Sequence, residues 1–467
     1  AQDRATRPQE PFRPVAAEFL RLNYDQHRDI RWKNDRSLWR SEGLPFQIRF
    51  FHPGYIFNRV VEIFVLPDSP YQPIRYSPEF FDFGKNVFKE KLPTTGSYAG
   101  FRIHYPLNRP DVLDELGVFL GASYFRALPR GLHYGVSARG LALNTYVAGR
   151  QEEFPVFTKF WLEKPTAFAK EFNLLALMDS ESVSGAYQFK IFPGEETRME
   201  VEARLFFRKT PSMIGLAPMS SMFWFSENTS NTFGDFRPEV HDSDGMLYQK
   251  ENGEWVWRPL TWARQIQVNI FPDSNPRGFG LLQRDREFSH YQDLEALYHL
   301  RPSLWVRPLE GFGAGSLFLM QLPTANEYTD NVTLFWKSET PVTPGSSQTI
   351  RYEMRWLKEA EDLPPLGRCI STRVDDQEKK NQRTFHLDFS GGALANLPAG
   401  QMPSWEAFSP TGAKILKPQL VWNEYNHSWR FSFVALKEPG NRPQEILCRL
   451  VGPTGHISET WSYTWLP

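Results

Sequence analysis

Cysteine is almost absent. Cys369 and Cys448 are the only two in 467 residues, which excludes a disulfide framework and a multi-cysteine zinc site. One bridge in an oxidising compartment and a pair of buried thiols both fit this pair. An excess of either charge is lacking too: 53 basic and 54 acidic residues give a net charge of −1. Nucleic acid demands a concentrated basic footprint, so the expected partner is neutral and is not nucleic acid. No run approaches eighteen uninterrupted apolar residues, so the chain is not expected to be embedded in a membrane. The polar start, Ala1-Gln2-Asp3-Arg4, leads us to expect that any export signal is removed or absent. The ten histidines form no H-E-x-x-H pattern and no G-x-S-x-G elbow occurs, which leaves zincin chemistry and nucleophilic acyl transfer without a sequence handle. Gly311-Phe312-Gly313-Ala314-Gly315 lacks the helix and the Lys-Ser/Thr of a nucleotide loop and reads as a hairpin turn. No metal or cofactor is expected.

What the chain has in quantity is aromatic residues, 15% of the total with 15 Trp among them. Most belong in a core, and a minority can line a groove where flat rings stack on sugar faces. Period-two alternation runs through Met199–Leu205, Tyr187–Ile191, Ile266–Ile270, Ile350–Met354, Phe431–Phe433 and Trp461–Trp465. This is the signature of half-buried strands. Pro193-Gly194 joins two of these runs as a hairpin loop. Helical spacing is confined to Val15/Phe19/Leu22, Phe168/Phe172/Leu175 and a turn or two near Leu294, Leu297 and Tyr298. The fold class is therefore all-β, with antiparallel sheets stacked as sandwiches. The acidic, Pro-Pro-containing stretch 358–367 reads as a linker. It divides residues 1–357 from 368–467, and the latter suit an immunoglobulin-like sandwich.

Two acidic clusters stand out. Glu239-Val240-His241-Asp242-Ser243-Asp244-Gly245 places three carboxylates and a histidine in seven residues. The glutamate of a calcium loop is missing where Gly253 stands. An Asx-type turn ending in Gly245, and an Asp projecting into a cleft as a base, both remain open. Asp330, within Asn326-Glu327-Tyr328-Thr329-Asp330-Asn331 before the apolar run Val332–Trp336, reads by itself as a turn residue at the start of a strand rather than as a catalyst. With other chemistries lacking a handle, carboxylate chemistry on carbohydrate is what remains.

The stretch Phe236–Gly245 closely resembles the OpgG/OpgD family of osmoregulated periplasmic glucan biosynthesis proteins. So do Asn252–Trp255 with Arg258–Leu260, Gly278–Gln283, Phe288–Asp293, Arg301–Val306, Tyr134–Thr145 and Ser458–Trp461. Together these blocks cover nearly the whole chain, and the OpgD branch is preferred. The resemblance implies a galactose-mutarotase-like β-sandwich followed by an immunoglobulin-like domain. It further implies location in the periplasm, action on linear β-1,2-glucan, and allows a homodimer. Asp330 matches the family's general acid, Asp242 its general base and Tyr298 a tyrosine at the reaction centre. The base is thought to act through a proton relay, so the two aspartates need not keep the usual inverting separation of about 6.5–9.5 Å. Candidate substrate contacts are His241, Asp244, Trp255, Arg301, Trp305 and Tyr328. An acid in the role of Asp330 has to hold a proton near neutral pH, which burial beside aromatics such as Tyr328 would favour.

One departure from the hydrolytic relatives concerns the loop after Cys369. In place of a longer Gly/Trp-containing loop stands the charged stretch Thr372–Arg383, which composition reads as a solvated surface loop. If that loop completes a water relay, a sugar hydroxyl replaces water as the acceptor here. The activities expected are thus inverting transglycosylation with cyclisation, or endo-hydrolysis. A non-catalytic glucan-binding scaffold is the rival from another class. A retaining hydrolase would require the carboxyls about 5–5.5 Å apart.

Overall fold

The computed structural model describes all residues except 89–91, 93–95, 230–232, 360–361, 376–380, 399–400, 438–439, 441, 454 and 467. The chain is all-β, as its alternation predicts: among the described residues the longest helix has five residues, Tyr24–Arg28. No helix among them is long and apolar enough to cross a membrane. Contacts divide the chain into two compact units.

Unit 1 comprises 1–219, 306–317 and 335–357. Its antiparallel strands Val156–Glu163, Phe172–Asp179, Val183–Phe192, Thr197–Phe207 and Ser347–Leu357 pair in succession. A second sheet takes Gln47–Phe51, Gly100–Tyr105, Asp114–Leu120 and Tyr124–Ala127. The inner faces meet through phenylalanines: Phe119 packs on Phe160 and Phe189 with ring centroids 5.6 and 5.2 Å apart, and Phe125 on Phe189 at 5.2 Å. Burying these large apolar surfaces on both inner faces is what makes a sandwich stable.

Unit 2 comprises 220–305, 318–334 and 358–467. Trp255–Pro259, Gly245–Gln249 and Gly278–Leu282 pair antiparallel. Thr460–Trp465 runs parallel beside Trp255–Pro259 and continues through Gln444–Gly452 to Ser404–Phe408. A four-stranded sheet of Arg368–Asp375, Gln382–Ser390, Ser428–Leu436 and Lys414–Asn423 accompanies it. Phe385, Phe433, Trp461 and Tyr463 fill the space between. Cys369 and Cys448 are both free, buried thiols, and burial pushes each well above its ordinary pKa.

The helical expectations fare worse. Phe172 and Leu175 lie in the strand Phe172–Asp179, and Phe168 before it is exposed. Phe172, Leu174, Ala176 and Met178 are buried while Leu175 is not, so a period-two pattern lay beneath the helical one. Val15, Phe19 and Leu22 are buried around a single turn, Ala17–Leu20. The Leu294–Tyr298 region yields a 3-10 turn, Tyr298–Leu300, with Leu294 exposed. The hairpin expected at Gly311–Gly315 instead joins strands of two different sheets, Ser303–Glu310 and Gly315–Gln321. Gly311 and Gly313 take positive φ there, of 85° and 58°, which glycine adopts without steric cost. Of the charged stretch Thr372–Arg383, the first four residues belong to Arg368–Asp375 and the last two to Gln382–Ser390, with 376–380 outside the described residues.

Candidate functional site

Every residue singled out from the acidic clusters falls in unit 2. Its organising element is the short segment Met222–Phe225. Phe223–Phe225 pairs antiparallel with Val240–His241, and the Phe223 and His241 rings stack with centroids 5.4 Å apart. The backbone N–H of Asp242 donates to Met222 O at 2.8 Å. One residue further along, the buried Asn331 side chain captures both polar groups of Phe223. Its Oδ1 accepts from Phe223 N and its Nδ2 donates to Phe223 O, each at 2.9 Å. Asn331 Nδ2 also donates to Leu322 O at 2.9 Å, and its carbonyl accepts from Leu322 N at 2.8 Å. The loop 322–331 is thus closed at its base and tied to the segment that anchors Asp242. Asp242 and Asp330 lie 88 positions apart in the sequence, yet Asp242 is tied to Met222 by its own backbone hydrogen bond, and Asp330 to Phe223 through the side chain of its neighbour Asn331.

A cleft of about 650 Å³ lies alongside, lined by Arg237, Asp293, Tyr298, Arg301, Glu327 and Tyr328 among others, and its size is that of a ligand cleft. Arg301 Nε is 3.4 Å from Asp242 Oδ1, and its guanidinium sits 5.4 Å from the Tyr298 ring centroid. Asp242 is 9% exposed and Tyr298 3% exposed. Burial, with the nearby carboxylates of Glu327 and Asp242, holds the Tyr298 phenol well above its ordinary pKa. At neutral pH it is therefore a protonated hydroxyl, able to accept one proton while giving up another. Glu327 is held by Arg237 at 2.6 Å, and Arg237 also pairs with Asp235 and Asp293, each at 2.8 Å. These carboxylates hold the guanidinium well above its usual pKa. In return Arg237 fixes Glu327, and with it the course of the loop that carries Tyr328 and Asp330.

The expected substrate contacts separate into two groups. Arg301 and Tyr328 line the cleft. Trp255 and Trp305 do not offer a face to a sugar: they are 8% and 3% exposed and stack on each other with centroids 5.6 Å apart. The aromatic burial expected around Asp330 is also missing, because Asp330 is exposed and Tyr328 is 87% exposed.

His241 and Asp244 belong to a buried network beneath the cleft. His241 is fully buried, with Nε2 3.0 Å from Glu239 Oε2, and Nδ1 3.0 Å from Gln283 Oε1 and 3.4 Å from Asp244 Oδ1. Asp244 accepts from the backbone N–H groups of Arg284 and Asp285. Burial pushes the Glu239 carboxyl up to about 7 and that of Asp244 up to about 6. For His241 burial alone would lower the pKa, but Asp244 and Glu239 overcome it and raise it to about 9. Ligand atoms of Glu239, His241 and Asp244, and likewise of Glu239, Asp285 and His290, lie within 4.8 Å of one another, close enough to hold a cation. Both ring nitrogens of His241 are engaged by protein partners, so the first cluster is already complete as a hydrogen-bond network. A raised histidine pKa contributes stability that is full below the ordinary 6.5 and lost as the pH rises through about 9. We therefore expect the stability advantage of wild type over His241→Gln, measured by urea denaturation, to be largest at or below pH 6.5 and to shrink between pH 7 and 9.5. A gap that widens with pH over that range would contradict this account.

Sequence reasoning did not single out Arg237, Asn331, Gln283 or Glu327 as site residues. Asn331 and Glu327 flank named residues, Arg237 is the second residue of the block Phe236–Gly245 and Gln283 closes Gly278–Gln283, but nothing local marks their partners. A second cleft, of about 630 Å³, lies in unit 1 beside Arg7, Phe207, Arg208 and Lys209, and it includes no residue of the acidic clusters.

The family model described as "Periplasmic glucan biosynthesis protein, MdoG" matches residues 1–465. A glucans biosynthesis protein G from Ralstonia nicotianae is 41% identical over 100% of this chain and 94% of its own length. One from Vibrio cholerae is 43% identical over 97% of the chain and 82% of its own length. One from Rhodopseudomonas palustris is 40% identical over 100% and 91% respectively. The blocks of resemblance and the matches over the whole chain agree: this chain belongs to the MdoG family of periplasmic glucan biosynthesis proteins.

Proposed function

We propose that this protein is an anomer-inverting enzyme acting on linear β-1,2-glucan in the periplasm. Asp330 is the general acid, Asp242 the general base, and Tyr298 sits at the reaction centre. The observation that supports this best is the common anchorage of the two aspartates: Asp242 through Met222 and Asp330 through Asn331 on Phe223. A buried tyrosine, Tyr298, stands close enough to Asp242 and Glu327 to feel both charges.

Protonated Asp330 gives its proton to the glycosidic oxygen as the C–O bond breaks. Asp242, oriented by Arg301, removes a proton through Tyr298 and further intermediaries from the incoming hydroxyl. Attack from the opposite face turns a β-linkage into an α product, a free α-anomer with water or an α-linkage with a sugar hydroxyl. An exposed acid suits this scheme when glucan itself covers Asp330 and excludes water from it.

Incubation with linear β-1,2-glucan tests the reading. A gain of reducing ends signifies hydrolysis; a loss of reducing ends with a smaller cyclic product signifies transfer. Glucan binding without turnover, unaltered in Asp330→Asn, would reject catalysis in favour of a protein that only presents glucan.

A further inference from the structure

Gln283, 1% exposed, follows directly on the strand Gly278–Leu282 and has every polar group engaged. Its backbone N–H donates to Ser303 Oγ at 3.0 Å. Its Nε2 lies 3.1 Å from the His241 carbonyl oxygen, 3.1 Å from the Tyr298 carbonyl oxygen and 2.9 Å from the Tyr291 hydroxyl. Carbonyl oxygens only accept, so the amide NH₂ faces them and Oε1 faces His241 Nδ1, which must then donate. His241 Nε2 is left to Glu239 at 3.0 Å. One proton is therefore shared between His241 and Glu239, and this pair locks the amide in one orientation. The amide has two hydrogens for these three oxygens, so the Tyr291 hydroxyl, which donates to Asp285 O 3.2 Å away, shares one of them with a carbonyl.

We propose that Gln283 is a positioning residue that sets the separation of Asp242 and Tyr298, because a single rigid amide holds both the carbonyl preceding Asp242 and the carbonyl of Tyr298. The inference rests on the proposed function for its catalytic meaning, but its geometry stands apart from it. A planar amide leaves little slack: moving either carbonyl strands a buried donor and a buried acceptor, which is unfavourable in an apolar surrounding.

The test is Gln283→Glu, nearly identical in shape but presenting an oxygen where the two carbonyls require N–H groups. The variant is compared with wild type for turnover of linear β-1,2-glucan and by crystal structure. We expect kcat to fall about a hundredfold, KM to stay within about threefold, and Tyr298 to move relative to Asp242 by about 1 Å, the scale at which misplaced groups lose this much rate. Loss of kcat without displacement, displacement without loss of kcat, or neither, overturns the role. If wild type proves unable to turn over glucan, the catalytic reading fails by itself. The positioning claim is then decided by the crystal structure alone, where an unmoved Tyr298 overturns it. If Gln283→Glu does not fold, Gln283→Met, similar in length and without polar atoms, takes its place with the same readouts and the same criteria.

Discussion

Asp330→Asn is expected to lower turnover of linear β-1,2-glucan by more than about a hundredfold, because a general acid contributes about 10²–10⁴ to rate. The substitution keeps the shape of the side chain and removes its ability to carry the transferred proton. Asp330 is exposed, and its neighbour Asn331 makes the hydrogen bonds that close the loop. The fold should therefore survive with an unchanged melting temperature. Glucan affinity, measured by titration, should stay within about threefold, since Arg301 and Tyr328 still line the cleft. This separates the residue's chemistry from its surroundings: a loss of rate with binding intact identifies a group used in the transition state. Full retention of rate would remove Asp330 from the mechanism and leave the cleft as a binding surface.

Glu459→Ala is expected to destabilise the protein by about 3–5 kcal/mol, the scale for breaking a buried ion pair by removing one partner. Glu459 is 0% exposed and accepts both guanidinium arms of Arg284, at 2.6 and 2.9 Å, together with the Cys369 N–H at 2.8 Å. Arg284 lies over Trp257, its guanidinium carbon 3.6 Å from the ring centroid, and cannot turn outward without giving up that contact. Its charge would be stranded in a site that excludes water. Since folded proteins are stable by only about 5–15 kcal/mol, the urea midpoint should fall markedly. The double variant Arg284→Met with Glu459→Leu should recover much of the loss, because the desolvation penalty disappears with the charges. A double variant less stable than Glu459→Ala would show that the pair does more than neutralise itself.

Asp330, the proposed acid, sits on an exposed loop, and its position depends on Asn331 and on the pairing of Glu327 with Arg237. Beneath it, the network of Glu239, His241 and Gln283 supports Asp242 and Tyr298 from the buried side. Functional groups that must hold one geometry are commonly placed on such a rigid foundation.

The alternation in Met199–Leu205 led directly to the strand Thr197–Phe207, and Pro193-Gly194 to the hairpin before it. Strand character is local, a property of neighbouring side chains pointing to opposite faces, so it can be read along the chain. Phe168, Phe172 and Leu175 satisfied the helical period by coincidence, and only the pairing with Val183–Phe192 decided for strand. Trp content suggested a sugar platform, but composition cannot distinguish a ring that stacks on a ligand from one that stacks on another Trp, as Trp255 and Trp305 do.

What the sequence determined by itself is therefore the all-β class, the strands whose side chains alternate clearly and, through family-like blocks, which carboxylates to examine. What only the tertiary structure decided is which groups meet. Asn331 reaches Phe223 across 108 positions, Gln283 reaches His241 across 42 and Arg284 reaches Glu459 across 175. Periodicity carries information over a few residues, whereas these contacts arise from the sheet pairings that bring distant segments side by side, and no local pattern encodes them.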